Sequence, residues 1–497
     1  MRSNIIFGLL LLMLVALVGG LWLRGRDSHQ APAPRPEPTS SASAAPSAAT
    51  TASATATTSA AATPTGSASA TPVPAPPKLG RPLRVVGLGW ELLAAGIMAN
   101  DGVTGGKASL FAKQGLEVEL SAFTDVLKLE NTLARGGKDA KGADVAIMPL
   151  PRFVASYERL KALDPVIFLV VGWSEGREVV LSKHKSFAAL PAQGTIAMRG
   201  TPGDPAAFLG LFALDLAGTP PARVTLVGEG DPHDWAAITR RESKQKSEQT
   251  SGHLLLSTGE ASRLVPFVAI AQASLVTKEA VHLTTLAKGW LAGHQLVADN
   301  ASDAARKIGE AKGAPEPLAV LSRMSEITAA SLDENAQVAG LSGRGAVTLE
   351  ALFGRCWQIW REAKVLSIPP ERAPVDGTII AALVRAGGEL STPPPTAGGS
   401  TPERPETKGQ PLVVYRAPKG KLDEGQLVET IGFIAGVFRR SPLRITAHPR
   451  VGVDSKLTDK LVEQARERFG LGAGRLEAGK TRGVAGAPAT IEVLPVP

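Results

Sequence analysis

The residues from Thr195 to Ala217 run as an apolar stretch, a turn and a second apolar stretch, in an order suited to holding a small anion. Thr195 to Met198 are apolar or β-tolerant, as a buried strand requires. Gly200, Pro202 and Gly203 punctuate a turn. Thr201 or Asp204 can cap the helix that follows, and Pro205 suits its first turn. Phe208, Leu211, Phe212 and Leu216 then fall on one helical face. Such a junction aims free backbone N–H groups and a positive dipole end at the space above the strand. The chemistry is non-covalent capture of a small anionic or polar ligand. The plainer alternative is a connection that binds nothing, of which any α/β protein has several.

Residues suited to covalent or metal chemistry are present but not arranged for it. His29, His184, His233, His253, His282, His294 and His448 are scattered, with no HExxH and no Cys/His metal spacing. Gly87 and Gly89 lack the third glycine of a dinucleotide fingerprint. The single cysteine, Cys356, lies in an apolar helical pattern and reads as a buried structural thiol, so no disulfide framework exists. No cofactor and no metal site is expected.

The elements that must position a ligand occupy the middle of an uneven 497-residue chain. Residues 1–30 hold an apolar run from Ile5 to Leu23, long enough to span a bilayer, flanked by Arg2, Arg24 and Arg26. No clean cleavage site follows, so the first reading is an uncleaved transmembrane anchor and the second a cleaved signal sequence. Residues 31–80 are nearly all Ala, Ser, Thr and Pro and read as a disordered tether. The formal net charge is +8 and aromatic residues make up 4 % of the chain. That balance is too mild, and too poor in interleaved aromatics, for nucleic acid; it fits an anionic ligand or an acidic envelope surface.

Residues 81–385 read as an α/β unit of two lobes. Leu83–Leu88, Leu116–Leu120, Ala143–Met148 and Val166–Val171 are expected strands of the first lobe, with an amphipathic helix over Thr124–Arg135. Thr195–Met198, Arg223–Val227 and His253–Ser257 are expected strands of the second, with helices at 204–217 and near 234–241. Strands alternating with helices imply a parallel-rich sheet. After Thr284 the pattern turns helical, at 285–299, 301–312, 316–326 and 349–364.

Four segments of this unit carry a resemblance to the periplasmic solute-binding proteins of ABC importers, nearest to the SsuA/NMT group (nitrate, sulfonate, taurine and pyrimidine-precursor binding). Leu83–Trp90 is similar to the group's first strand and ligand-facing aromatic, and Gly142–Ile147 to its third strand. Leu190–Thr201 resembles its turn into the second lobe, and Ala287–Ile308 its late helices. The resemblance implies a type II two-lobed periplasmic-binding-protein fold with a ligand between the lobes. Its site positions fall on Trp90, Glu91, Thr124, Asp125, Ser174, Gly200, Thr201, Asp204, Thr258 and Glu260. Each has a structural alternative: Trp90 as core, Asp125 and Asp204 as helix caps, Glu91 and Glu260 as solvated charges. The implied partners are a small-molecule solute and an ABC permease, with most of the chain in the periplasm and one helix in the inner membrane. An enzyme of this fold would need His and Cys clustered in the cleft, and the sequence supplies no such cluster. The alternative is an envelope scaffold or sensor.

Residues 386–410 read as a second linker, and 411–497 as a small α+β domain of pattern β-α-β-α-β. Leu443–His448 and Leu457–Arg466 resemble the central strand and the helix of the OmpA-like, peptidoglycan-associating domain. The family's diaminopimelate-binding Asp and Arg fall on Arg450 and Leu461, so the peptide-binding chemistry is not carried over. Peptidoglycan or other envelope proteins remain the implied partners of this domain, and a structural role the alternative.

Overall fold

The computed structural model describes residues 79–245, 252–342, 347–387, 410–418, 423–448, 456–480 and 487–496. The expected anchor, the tether apart from its last two residues, the 386–410 linker apart from its ends, and Arg450 lie outside these residues. Among the described residues no helix is long and apolar enough to cross a membrane.

The chain visits one sheet, leaves for a second, and returns. Strands β1 (Leu83–Leu88), β2 (Val118–Phe123), β3 (Val145–Pro149) and β4 (Pro165–Ser174) start the first lobe. The chain crosses at Glu175–Arg177 and builds β5 (Glu178–Ser182), β6 (Ile196–Arg199), β7 (Val224–Val227), β8 (Trp235–Thr239) and β9 (His253–Ser257). It crosses back through Thr258–Val265 into β10 (Pro266–Gln272) and later β11 (Ile327–Ala329). The first sheet has the order β11-β4-β10-β3-β1-β2 and the second β7-β6-β8-β5-β9. In each, the strand that follows a crossing sits fourth from one edge and runs antiparallel to its neighbours, while the strands before it are parallel.

The expected parallel-rich sheet is thus mixed, because a strand entering from the other lobe arrives from the opposite end. The same cause corrects the helix expected near 234–241. Its apolar half, Trp235–Thr239, is inserted as a strand between β6 and β5, and only Arg240–Gln245 is helical. Periodicity cannot separate a short apolar strand from a buried helical turn; the neighbouring strands decide.

Alternation along the first sheet divides its side chains between two cores. Phe267, Ala269 and Ala271 join one core, with the helices Ala94–Asn100, Ala280–Asp299 and Thr378–Arg385. Val268 and Ile270 join the other, with the helices Leu150–Leu160 and Leu349–Glu362 and the second lobe. Helix Ala94–Asn100 lies so close to Ala280–Asp299 that a Cβ at Gly293 would come within 2.0 Å of the Ala95 carbonyl oxygen. Cys356 is fully buried, as expected, and burial pushes its thiol pKa well above the ordinary value.

The C-terminal unit is a four-stranded sheet ordered β12-β15-β13-β14, with β12 (Val413–Arg416), β13 (Leu443–Thr446), β14 (Leu476–Ala478) and β15 (Thr490–Val493). Strand β14, parallel to β13, was not expected from the sequence pattern. Helices Glu424–Val437 and Leu457–Phe469 pack on this sheet. Its core is continuous with that of the lobes: Phe433 and Phe438 both meet Phe212 of helix Pro205–Leu216, at ring-centroid distances of 6.3 and 6.4 Å. That explains why helix Pro205–Leu216 is buried almost all round instead of on one face.

Candidate functional site

A cleft of about 290 Å³ lies between the lobes. The first lobe supplies Leu88, Gly89, Glu91, Phe123, Thr124, Arg323 and Glu326; the crossing and second lobe supply Arg177, Thr239 and Arg241. The chain ends of β1, β2 and β8 deliver these residues where strands give way to turns, the usual place for a ligand in open α/β sheets. Glu91 is the second residue of a short 3-10 helix, Trp90–Leu93, that starts directly after Gly89, whose φ of +108° suits glycine. That turn buries the Glu91 side chain to 2 % exposure.

The electrostatics of the cleft centre on Glu91. Its carboxylate accepts a 3.0 Å hydrogen bond from Arg177 and lies 3.8 Å from Arg323. Burial opposes the Arg177 charge, but Glu91, Glu178 and Glu326 together hold its pKa above the ordinary value. Burial raises the Glu326 pKa, with Arg177 opposing. Three arginines face two glutamates in the lining, which leaves a positive excess for an anionic or strongly accepting solute. An adjoining cavity of about 190 Å³ is lined by Trp90, Thr124, Asp125, Lys128 and Arg323.

The ten positions singled out in the sequence divide into three groups. Trp90, Glu91, Thr124 and Asp125 come together around the cleft and its side cavity. Asp125 also caps helix Val126–Arg135, accepting from the amides of Leu127 and Lys128, so the capping alternative holds as well.

Ser174, Thr258 and Glu260 lie at the crossings. Ser174 Oγ and Thr258 Oγ1 are 3.0 Å apart, and both hydroxyls donate to the buried Glu178 carboxylate. Burial raises the Glu178 pKa, against Arg177 and these hydroxyls. Glu260 accepts from the Ser257 amide at 2.8 Å and from its hydroxyl. These residues fasten the two connections between the lobes.

Gly200, Thr201 and Asp204 form the second-lobe turn, and they do not line the cleft. Asp204 occupies the N-cap position of helix Pro205–Leu216 without making a side-chain cap bond. Its carboxylate instead accepts from Arg152 of helix Leu150–Leu160 at 2.7 Å. Gly203, at φ +80°, lets the turn press against Ala155 and Arg152; a Cβ there would meet Ala155 Cβ at 2.9 Å. Arg152 therefore stands where the turn alone offered room for an anion. Burial raises the Asp204 pKa and Arg152 opposes it.

The sequence reading missed Arg177, Thr239, Arg241, Arg323 and Glu326. Arg177 had a local signal: it follows Gly176, φ +73°, directly after a long apolar strand. Arg323 and Glu326 had none, since they reach the cleft only because Pro317–Met324 packs beside Trp90–Leu93. Among the described residues no group of three His, Cys, Asp or Glu side chains is placed to hold a metal.

Strand order, two crossings and an inter-lobe cleft together define a two-lobed α/β fold. Its solved structural neighbours include the periplasmic aliphatic sulphonate binding protein SsuA from Escherichia coli (15 % identity, 59 % of this chain and 94 % of that one, TM-score 0.42). Others are the putative sulfonate ABC transporter protein SsuA from Methylobacillus flagellatus (15 %, 63 % and 97 %, TM-score 0.42) and the periplasmic nitrate-binding protein NrtA from Synechocystis (13 %, 63 % and 98 %, TM-score 0.36). No protein-family model matches the chain, and no curated protein matches it.

Proposed function

We propose that this protein is an extracytoplasmic solute-binding protein that holds a small polar or anionic solute between its lobes and presents it to an ABC permease. The observation that carries the reading is the cleft itself, whose arginines come from both sides: Arg323 from the first lobe, Arg177 from the crossing and Arg241 from the second. A solute touching all three favours the closed arrangement by its differential contacts, with no covalent chemistry. Residues 1–30 would tether the chain to the inner membrane, and the Ala/Ser/Thr/Pro-rich segment after them would give it reach.

A second reading, an envelope scaffold or sensor, is favoured by one specific feature. The C-terminal unit is fastened to the hinge: the Arg263 amide donates to Val437 at 3.1 Å, and Arg440 pairs with Glu175 of the first crossing. A peptidoglycan role for that unit gains no support from Leu461, which is fully buried where the OmpA-like pattern has a peptide-binding arginine.

The test is a thermal-shift panel on the full-length chain with nitrate, alkanesulfonates, small carboxylates and amines. A ligand at one hundred times its dissociation constant adds about 2.7 kcal/mol. Shifts with anions, weakened in Arg241→Ala, support solute capture. No shift across the panel favours the scaffold.

A further inference from the structure

A chamber of about 530 Å³ lies where the C-terminal unit meets the crossings, separate from the inter-lobe cleft. Three guanidinium groups line it: Arg263 on the second crossing, Arg439 after helix Glu424–Val437, and Arg475 before β14. The acids in its wall are Glu334 and Asp333. Glu334 serves two arginines at once, Arg263 at 2.5 Å and Arg439 beside it. Asp333 accepts from Gln337 at 2.9 Å. Arg475 spends one nitrogen on the Ala435 and Phe438 carbonyls, each at 2.9 Å, and its buried Nε–H has no acceptor among the described residues. Burial lowers the pKa of both Arg263 and Arg475, and Arg439 presses each of them further down.

A second observation points to a ligand. Trp173, only 1 % exposed, lines the same chamber, and its indole N–H has no acceptor among the described residues. Arg263 lies over its ring, 5.1 Å from the centroid. A buried donor without an acceptor is costly, and so is a cluster of cations under-matched by carboxylates. One group relieves both: an oxyanion. Val338, Val347, Phe469 and Leu471 give the lining an apolar part, beside the polar Ser342 and Gln337, that suits a small hydrocarbon body.

We infer that this chamber is a binding site for an organic anion with a phosphate or carboxylate head and a compact apolar body, held between the C-terminal unit and the hinge. It differs from the solute cleft in position and in every lining residue. An occupant would bridge Arg439 and Arg475 to Arg263, and so tie the C-terminal unit more firmly to the segment on which the lobes pivot.

The test is calorimetric titration of the full-length chain with phenyl phosphate and benzoate, with benzylamine as the cationic control. Saturable 1:1 binding of at least one of the two anions is expected, with at least tenfold weaker affinity in Arg439→Gln and in Trp173→Phe. Arg241→Ala, which alters the cleft, should leave this affinity unchanged. Arg439 is half-exposed, so its substitution should preserve the ligand-free unfolding midpoint, and that is measured alongside. Equal binding of benzylamine, anion binding that follows Arg241 and ignores Arg439, or no binding of either anion at millimolar concentration would each overturn the assignment.

Discussion

Glu91 and Arg177 meet at 3.0 Å in the cleft, the carboxylate from the turn after β1 and the guanidinium from the first crossing. The pair joins the first lobe to its own hinge. Arg177 keeps Glu178 as a second partner, 3.9 Å away. Glu91→Gln is therefore expected to cost about 1.5–3 kcal/mol, the range for a hydrogen bond to a charged group. It also removes negative charge from a site with an arginine excess, so any anion that binds the cleft should bind more tightly. Urea unfolding and a nitrate or sulfonate titration check both halves; an unchanged stability would contradict the first.

Arg241 lines the cleft from an exposed position at the start of a short helix. Arg241→Ala should leave stability within about 0.5 kcal/mol. It should weaken an anionic solute by roughly tenfold, the effect of losing about 1.4 kcal/mol. Isothermal titration against the unfolding midpoint separates the two effects.

His294 stands in the wall of an apolar cavity in the first lobe, and burial lowers its pKa to about 4. Between the ordinary value near 6.5 and about 4, the unfolded chain takes up a proton that the folded chain resists. Stability should thus fall as pH drops through that window, by on the order of 2 kcal/mol, and be unaffected by this group above it. His294→Leu should flatten that part of the profile. Equal slopes in wild type and variant, by urea unfolding at pH 7 and pH 4.5, would rule the assignment out.

Phe438 is fully buried between the C-terminal unit and Phe212 of the second lobe. Phe438→Ala should cost about 3–5 kcal/mol. All seven tryptophans lie outside residues 411–497, so tryptophan fluorescence reports the remainder of the chain alone. The fluorescence-detected transition should shift down with the variant. A transition that stays in place would mean that the C-terminal unit unfolds independently.

Cys356 is fully buried and its thiol pKa is pushed up by that burial. A thiolate-seeking disulfide reagent should react with the native chain only through unfolding, and promptly once denaturant is added. Rapid labelling of the native chain would show that the thiol is open to solvent.

Much of the first lobe was legible because its signals are local. Leu83–Leu88 is apolar but for Arg84, Val166–Val171 is apolar throughout, and Asp125 announces the helix it caps. In the C-terminal unit Leu443–Thr446 and Leu457–Phe469 were equally plain, whereas β14 is only three residues long and escaped notice. Half of the cleft was less visible. Glu91 and Thr124 lie just past their strands, but Arg323 and Glu326 are brought in from about two hundred residues or more away along the chain.

What the amino-acid order determined by itself is the set of segments and their types, since hydrophobic period, caps and turns act over a few residues. It also determined the α/β class and the lack of a full dinucleotide fingerprint. Only the tertiary structure decided that Asp204 turns from its helix to Arg152, and that Ser174 and Thr258 clasp Glu178 at the hinge. It alone decided that Phe433 and Phe438 join the core of the lobes. The reason is physical: a carboxylate or ring is placed by whichever partner lowers the cost of burying it, and that partner is fixed by how the elements pack.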